Sequence, residues 1–114
     1  MRYINKIGIE IEGGFDDFDY INNIAKKING SIVKDGSLFD FENSEPLEFI
    51  SKPYNKKTEL KKDIKKIYDN LIEVNKSAGL HIHLSFKKHS FYTYLFSFKF
   101  CEYFKKSLFG WMCT

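Results

Sequence analysis

The stretch Lys6-Ile-Gly-Ile-Glu-Ile-Glu-Gly-Gly14 constrains this chain most, because it alternates without a break from Ile7 to Glu12. Successive side chains of a strand point to opposite faces, so Ile7, Ile9 and Ile11 share one face while Gly8, Glu10 and Glu12 share the other. The two acids then stand side by side, roughly 6.5 to 7 Å apart, at about 3.3 Å of rise per residue. That spacing suits a shared cation. It equally suits an edge strand with a solvated acidic face, and the rest of the chain has to separate the two readings.

The chain has 114 residues, enough for one domain with a single core. Its aromatic share of 18% predicts a packed core rather than disorder. The net charge of +3 comes almost wholly from lysine, with Arg2 the sole arginine. Arginine is the residue suited to bidentate phosphate and guanine contacts, so no nucleic-acid partner is expected. Cys101 and Cys113 form no Cys-x-x-Cys pattern, and nothing resembles a signal peptide or a membrane span. A cytoplasmic protein with reduced thiols is expected.

In chain order, Gly13-Gly14 interrupts the alternation. Asp16 or Asp17 can cap a helix that ends at Asn29-Gly30, its stripe formed by Phe18, Ile21, Ile24, Ala25 and Ile28. Ser31 to Lys34 reads as a short strand, and Asp35-Gly36 as a hairpin turn into a second apolar piece, Leu38 to Phe41. Leu47 to Ser51 is a further strand, closed by Pro53, in which Glu48 and Ile50 share a face. Leu60, Ile64, Ile67, Leu71 and Val74 at three-and-four spacing predict a helix over Asn55 to Asn75, with its lysines on the solvated face. Leu80-His81-Ile82-His83-Leu84 alternates again, with leucines and isoleucine inward and both histidines on the opposite face. Ser90 to Met112 is readable either as a helix or as an alternating strand. It carries more aromatic surface than one buried stripe needs, which makes Tyr94, Phe98 and Trp111 candidates for a partner surface.

The fold expected is α+β: a mainly antiparallel sheet of about four strands with two to three helices on one face. Such a sheet could gather Glu10, Glu12, Glu48, His81 and His83 on a common surface. Carboxylates crowded there repel one another, and a divalent ion is their natural occupant. Carboxylates suit Mg²⁺ or Mn²⁺, and histidine tilts the choice toward Mn²⁺ or Zn²⁺. No phosphate-binding glycine loop, Gly-x-Ser-x-Gly or Cys beside a base competes with this reading.

The order Gly8-x-Glu10-x-Glu12, Asp35-Gly36-Ser37, Glu48-x-x-Ser51-x-Pro53, long helix, Gly79-Leu80-His81-x-His83 resembles the N-terminal half of the amidoligase family. These are carboxylate-amine ligases of glutamine synthetase-like fold, and the likeness spans about residues 7–86. The resemblance implies ATP- and metal-dependent amide formation, with Mg²⁺ or Mn²⁺ as the ion. Glu10, Glu12 and Glu48 would be metal ligands, and His81 or His83 a metal or phosphate contact. Asp35, Ser37 and Ser51 would line the substrate or nucleotide side, while Pro53 and Gly79 would shape the backbone. Family members run to roughly twice this length, typical of a fuller domain, and their second half brings the phosphate-holding arginines. The expectation is therefore a truncated, amidoligase-like single domain whose activity needs completion by oligomerisation or a second chain. The alternative is a non-catalytic homologue that binds another protein, such as a small phage or mobile-element inhibitor.

Overall fold

The computed structural model describes residues 4–34 and 36–87. Seven elements follow in order: β1 (Ile4–Phe15), α1 (Phe18–Lys27), β2 (Ser31–Lys34), β3 (Glu45–Ile50), α2 (Lys57–Tyr68), β4 (Leu71–Glu73) and β5 (Gly79–Phe86). The class is α+β, as the alternation and helical spacing imply. The sheet has five strands in the order β2-β3-β1-β4, with β5 also on β1, and its strand pairs are antiparallel.

β1 is the central strand. One edge pairs with β3 over Glu10–Phe15, and the other pairs with β5 over Ile4–Glu12 and with β4 at Gly14 and Phe15. Past the end of β3 the chain keeps following β1: Ser51 N–H donates to Ile9 O at 2.8 Å, and Ile7 and Tyr54 exchange two bonds of 2.7 Å. Ile7, Ile9, Ile11 and Phe15 are buried against Leu47 and Phe49 of β3 and against the stripes of both helices, Ile21 and Ala25 from α1 and Leu60, Ile64 and Ile67 from α2. Both helices therefore cover the isoleucine face of β1. The glutamate face is left uncovered by them.

Local chemistry explains the ends of α1. The Asp17 carboxylate accepts from Tyr20 N at 3.2 Å as N-cap. At the other end Asn29 takes a left-handed φ of 58° while Gly30 N–H reaches Ala25 O at 2.9 Å, a Schellman stop. Gly30 is needed for space: a Cβ there would lie 2.5 Å from the Phe49 ring.

Several expectations are corrected. Gly13-Gly14 does not end the first strand, which runs on to Phe15. The glycines mark close approach, since a Cβ on Gly13 would stand 2.6 Å from Leu71, and one on Gly14 would collide with Ser44 and Phe41. Leu38 to Phe41 is not a strand, and Asp35-Gly36 does not open a hairpin onto it. β2 pairs instead with β3, Ser31 opposite Ile50 and Lys34 opposite Leu47. Gly36 lacks the positive φ that a type I′ turn requires. The loop is tied down from a distance: the Asn75 amide donates to Phe39 O at 2.7 Å, and Glu73 accepts from Ser44 Oγ at 2.7 Å.

The second helix is shorter than its apolar spacing predicts. It stops at Tyr68, where Asn70 Nδ2 donates to Lys66 O at 2.8 Å, and Leu71–Glu73 becomes β4. Leu71 continues the helical spacing, but its neighbours Ile72 and Val74 are β-branched, and pairing to Gly14 and Phe15 decides the outcome. The inward residues of β5 also differ from expectation, because Leu80 and Ile82 remain 39% and 37% exposed. Asp35, Tyr94, Phe98, Trp111 and the whole Ser90 to Met112 stretch lie outside the described residues. Among those described, no helix is long and apolar enough to cross a membrane.

Residues 51–54 are anchored on α2 by two contacts. Lys52 Nζ meets Glu59 Oε1 at 2.8 Å, and the buried Tyr54 hydroxyl donates to Asp63 Oδ2 at 2.9 Å. Burial first, and the Asp63 carboxylate second, push the Tyr54 phenol far above its ordinary range. The stabilisation from this raised pKa is full below the usual tyrosine value of about 10 and is lost as pH rises through the folded value. Tyr54→Phe should cost ~1–3 kcal/mol in denaturant unfolding, because Asp63 stays buried without its donor. In an ultraviolet alkaline titration of the native wild type, a phenol that resists ionisation well above pH ~10 should be present and should vanish in Tyr54→Phe.

Candidate functional site

Residues directly opposite in an antiparallel pair share a face, so the register itself assembles the site. Glu12 lies opposite Glu48 on β3 and Gly79 on β5. Glu10 lies opposite Ile50 on β3 and His81 on β5, and Gly8 opposite His83. All five candidate ligands, Glu10, Glu12, Glu48, His81 and His83, therefore stand on the face turned away from the helices.

The side chains converge on Glu10. Its Oε2 is 2.8 Å from His83 Nε2 and 3.5 Å from His81 Nδ1, and His81 Nδ1 is in turn 3.6 Å from Glu12 Oε1. The hydrogen bond to His83 holds the Glu10 carboxyl below its usual range, against an opposing effect of burial. Both imidazoles stand well out in solvent, while the two carboxylates sit lower, with Glu12 14% exposed. The sheet presents its acids as a floor and its imidazoles as an exposed rim.

Donors that share one ion at about 2.0–2.2 Å lie roughly 3 to 3.5 Å from one another. The spacings around Glu10 fall close to that range, and the chemistry of the set, carboxylate with imidazole, fits Mn²⁺ or Zn²⁺ and accepts Mg²⁺. Among the described residues no three His, Cys, Asp or Glu side chains already surround a common point as ligands. The donors here satisfy one another, and a cation would take the place of the Glu10–His83 hydrogen bond.

A hollow of about 370 Å³ opens beside this cluster, lined by Lys6, Gly8, Glu10, Ile50, Pro53 and His83 among others. Gly8 contributes no side chain to its floor, and Lys6 stands at the end away from Glu12. Lys6 and Ser85, joined through Lys6 N–H and Ser85 Oγ at 3.0 Å, belong to the same face. Carrying the two-residue alternation of each strand one step further would have found both.

The remaining candidates separate. Ser51 lies near the site, but its hydroxyl accepts from Ile9 N at 2.8 Å and donates to Lys52 O at 2.7 Å. It replaces a missing rung of the ladder where the chain turns toward Pro53. Ser37 is exposed in the turn after β2, and β3 stands between that strand and β1. The structure does not bring it to Glu10.

No protein-family model, curated protein or solved structure matches the chain.

Glu10→Gln should remove the charge-assisted contact to His83. Because the Glu10 pKa is lowered on folding, its contribution is full above the usual glutamate value of about 4.3 and is lost as pH falls through the folded value. The destabilisation of Glu10→Gln relative to wild type, followed by denaturant unfolding across acid pH, should therefore be largest above that value and shrink below it.

Proposed function

We propose that the β1–β3–β5 face is a divalent-cation site serving ATP-dependent carboxylate-amine ligation of the amidoligase type. The observation that carries this reading is the placement of Glu10 opposite His81 and Glu12 opposite Glu48, with His83 on Glu10, all on the face that the helices leave open. In that reaction the terminal phosphoryl of ATP passes to a substrate carboxylate, and an amine then displaces phosphate to leave an amide. Mg²⁺ or Mn²⁺, when bound, neutralises phosphate charge at such a centre.

The residues of this chain divide the work. Glu10, Glu12 and Glu48 supply anionic oxygens, and the carboxylate floor is held rigid because β1 is paired on both edges. His83 orients Glu10, and His81 bridges toward Glu12. The hollow over Gly8 offers room for the organic part of a substrate between Pro53 and His83. Among the described residues Lys6 is the cationic side chain that lines the hollow, and this reading expects further arginine or lysine residues to complete a phosphate clamp.

A second reading is a protein-binding module that keeps the sheet without catalysis. It is favoured by the exposure of Ile72, Val74, Leu80 and Ile82, large apolar side chains that the described elements leave uncovered.

Titration calorimetry separates the two. The ligase reading expects Mn²⁺ binding that weakens about tenfold or more in Glu10→Ala and Glu12→Ala, with circular dichroism unchanged. It also expects nucleotide binding that depends on the ion. Absence of both ion and nucleotide binding would sink it. A partner whose affinity is unchanged by Glu10→Ala would support the second reading.

A further inference from the structure

Among the described residues β5 is the long edge strand of the sheet. It pairs with β1 along one edge, and no described strand lies along the other edge of Leu80–Leu84. Exposed edges are usually blunted by proline, lysine, a bulge or brevity. The opposite edge strand, β2, is four residues long and ends in Lys34. β5 has eight residues, contains neither proline nor lysine, and shows no register shift from Gly79 to Leu84.

Its sequence is also self-complementary. Leu80-His81-Ile82-His83-Leu84 reads the same in both directions about Ile82. Two copies paired antiparallel on a dyad through Ile82 would set Leu80 opposite the partner subunit's Leu84, and Ile82 opposite itself. Like side chains then meet on both faces: apolar with apolar on the helix side, where Leu80 and Ile82 are 39% and 37% exposed, and imidazole with imidazole on the other. Charge agrees with this arrangement. The Glu10 rows of the two copies would be three strand spacings apart, roughly 14 Å at about 4.8 Å per strand, so the acids do not confront each other.

We infer that β5 is a homodimer interface, joining two copies edge to edge about Ile82 into one continuous sheet. The contact is isologous, which closes the assembly at two copies and prevents a fibre. It also places His81 opposite the partner subunit's His83, beside Glu10, so each copy contributes an imidazole to the other's donor row. This last point rests on the cation-site reading above.

The test uses the full chain with Cys101→Ser and Cys113→Ser. Sedimentation should show a dimer in the micromolar range, and Ile82→Lys should be a folded monomer by circular dichroism. On oxidation Ile82→Cys should cross-link, because the two copies of residue 82 face each other. Leu80→Cys should not, because its two copies lie about 13 Å apart along the strands, beyond the ~7 Å Cα reach of a disulfide. A monomeric wild type, or equal cross-linking of both cysteines, would overturn the inference. Zn²⁺ as probe should tighten the dimer about tenfold in wild type and not in His83→Ala. A dimer indifferent to Zn²⁺ would refute the shared donor row alone, and Mn²⁺ binding retained by the Ile82→Lys monomer would show that the cation site stands without it.

Discussion

Pairing of β1 on both edges is the constraint on which the rest of this structure depends. A strand with partners on either side has its side chains fixed in two sets, and here the sets are chemically opposite. Ile7, Ile9 and Ile11 anchor the core beneath both helices, while Glu10 and Glu12 are held on the far face. Moving the register by one residue would bury two carboxylates and expose three isoleucines. The same packing that stabilises the fold therefore holds the acids together against their mutual repulsion.

The imidazoles respond to that repulsion. His83 accompanies Glu10 at 2.8 Å, and His81 lies between Glu10 and Glu12 at 3.5 and 3.6 Å. Imidazole partners carboxylates through hydrogen bonds and is also a common metal ligand. The deeper carboxylates are fixed by the sheet, and the more exposed histidines stand above them.

Much of this was legible locally. Alternation placed Glu10 with Glu12 and His81 with His83, and the pair Asp16-Asp17 announced the start of α1, because each depends on neighbours in sequence. What joins these pieces depends on contacts distant in sequence and carries no local signal. Gly13-Gly14 reads as a break until Leu71 and Ser44 are seen crowding against it. Leu71 and Val74 extend a helical stripe until β1 takes Leu71 into the sheet. Asp35-Gly36 reads as a hairpin turn, but Asn75 and Glu73 hold the following loop from the far end of the chain. Ser51, singled out as a site residue, lines the hollow beside Glu10 and also accepts from Ile9 N as part of the backbone ladder.

The central claim, that this sheet face holds a divalent cation, is most directly tested by Mn²⁺ titration followed by amide NMR of the uniformly labelled protein. Paramagnetic broadening should appear first at Gly8, Glu10, Glu12, Gly79, His81 and His83, and leave the α2 amides of Lys57–Tyr68 sharp at the same ion concentration. Uniform broadening, or broadening centred elsewhere than this face, would contradict the account.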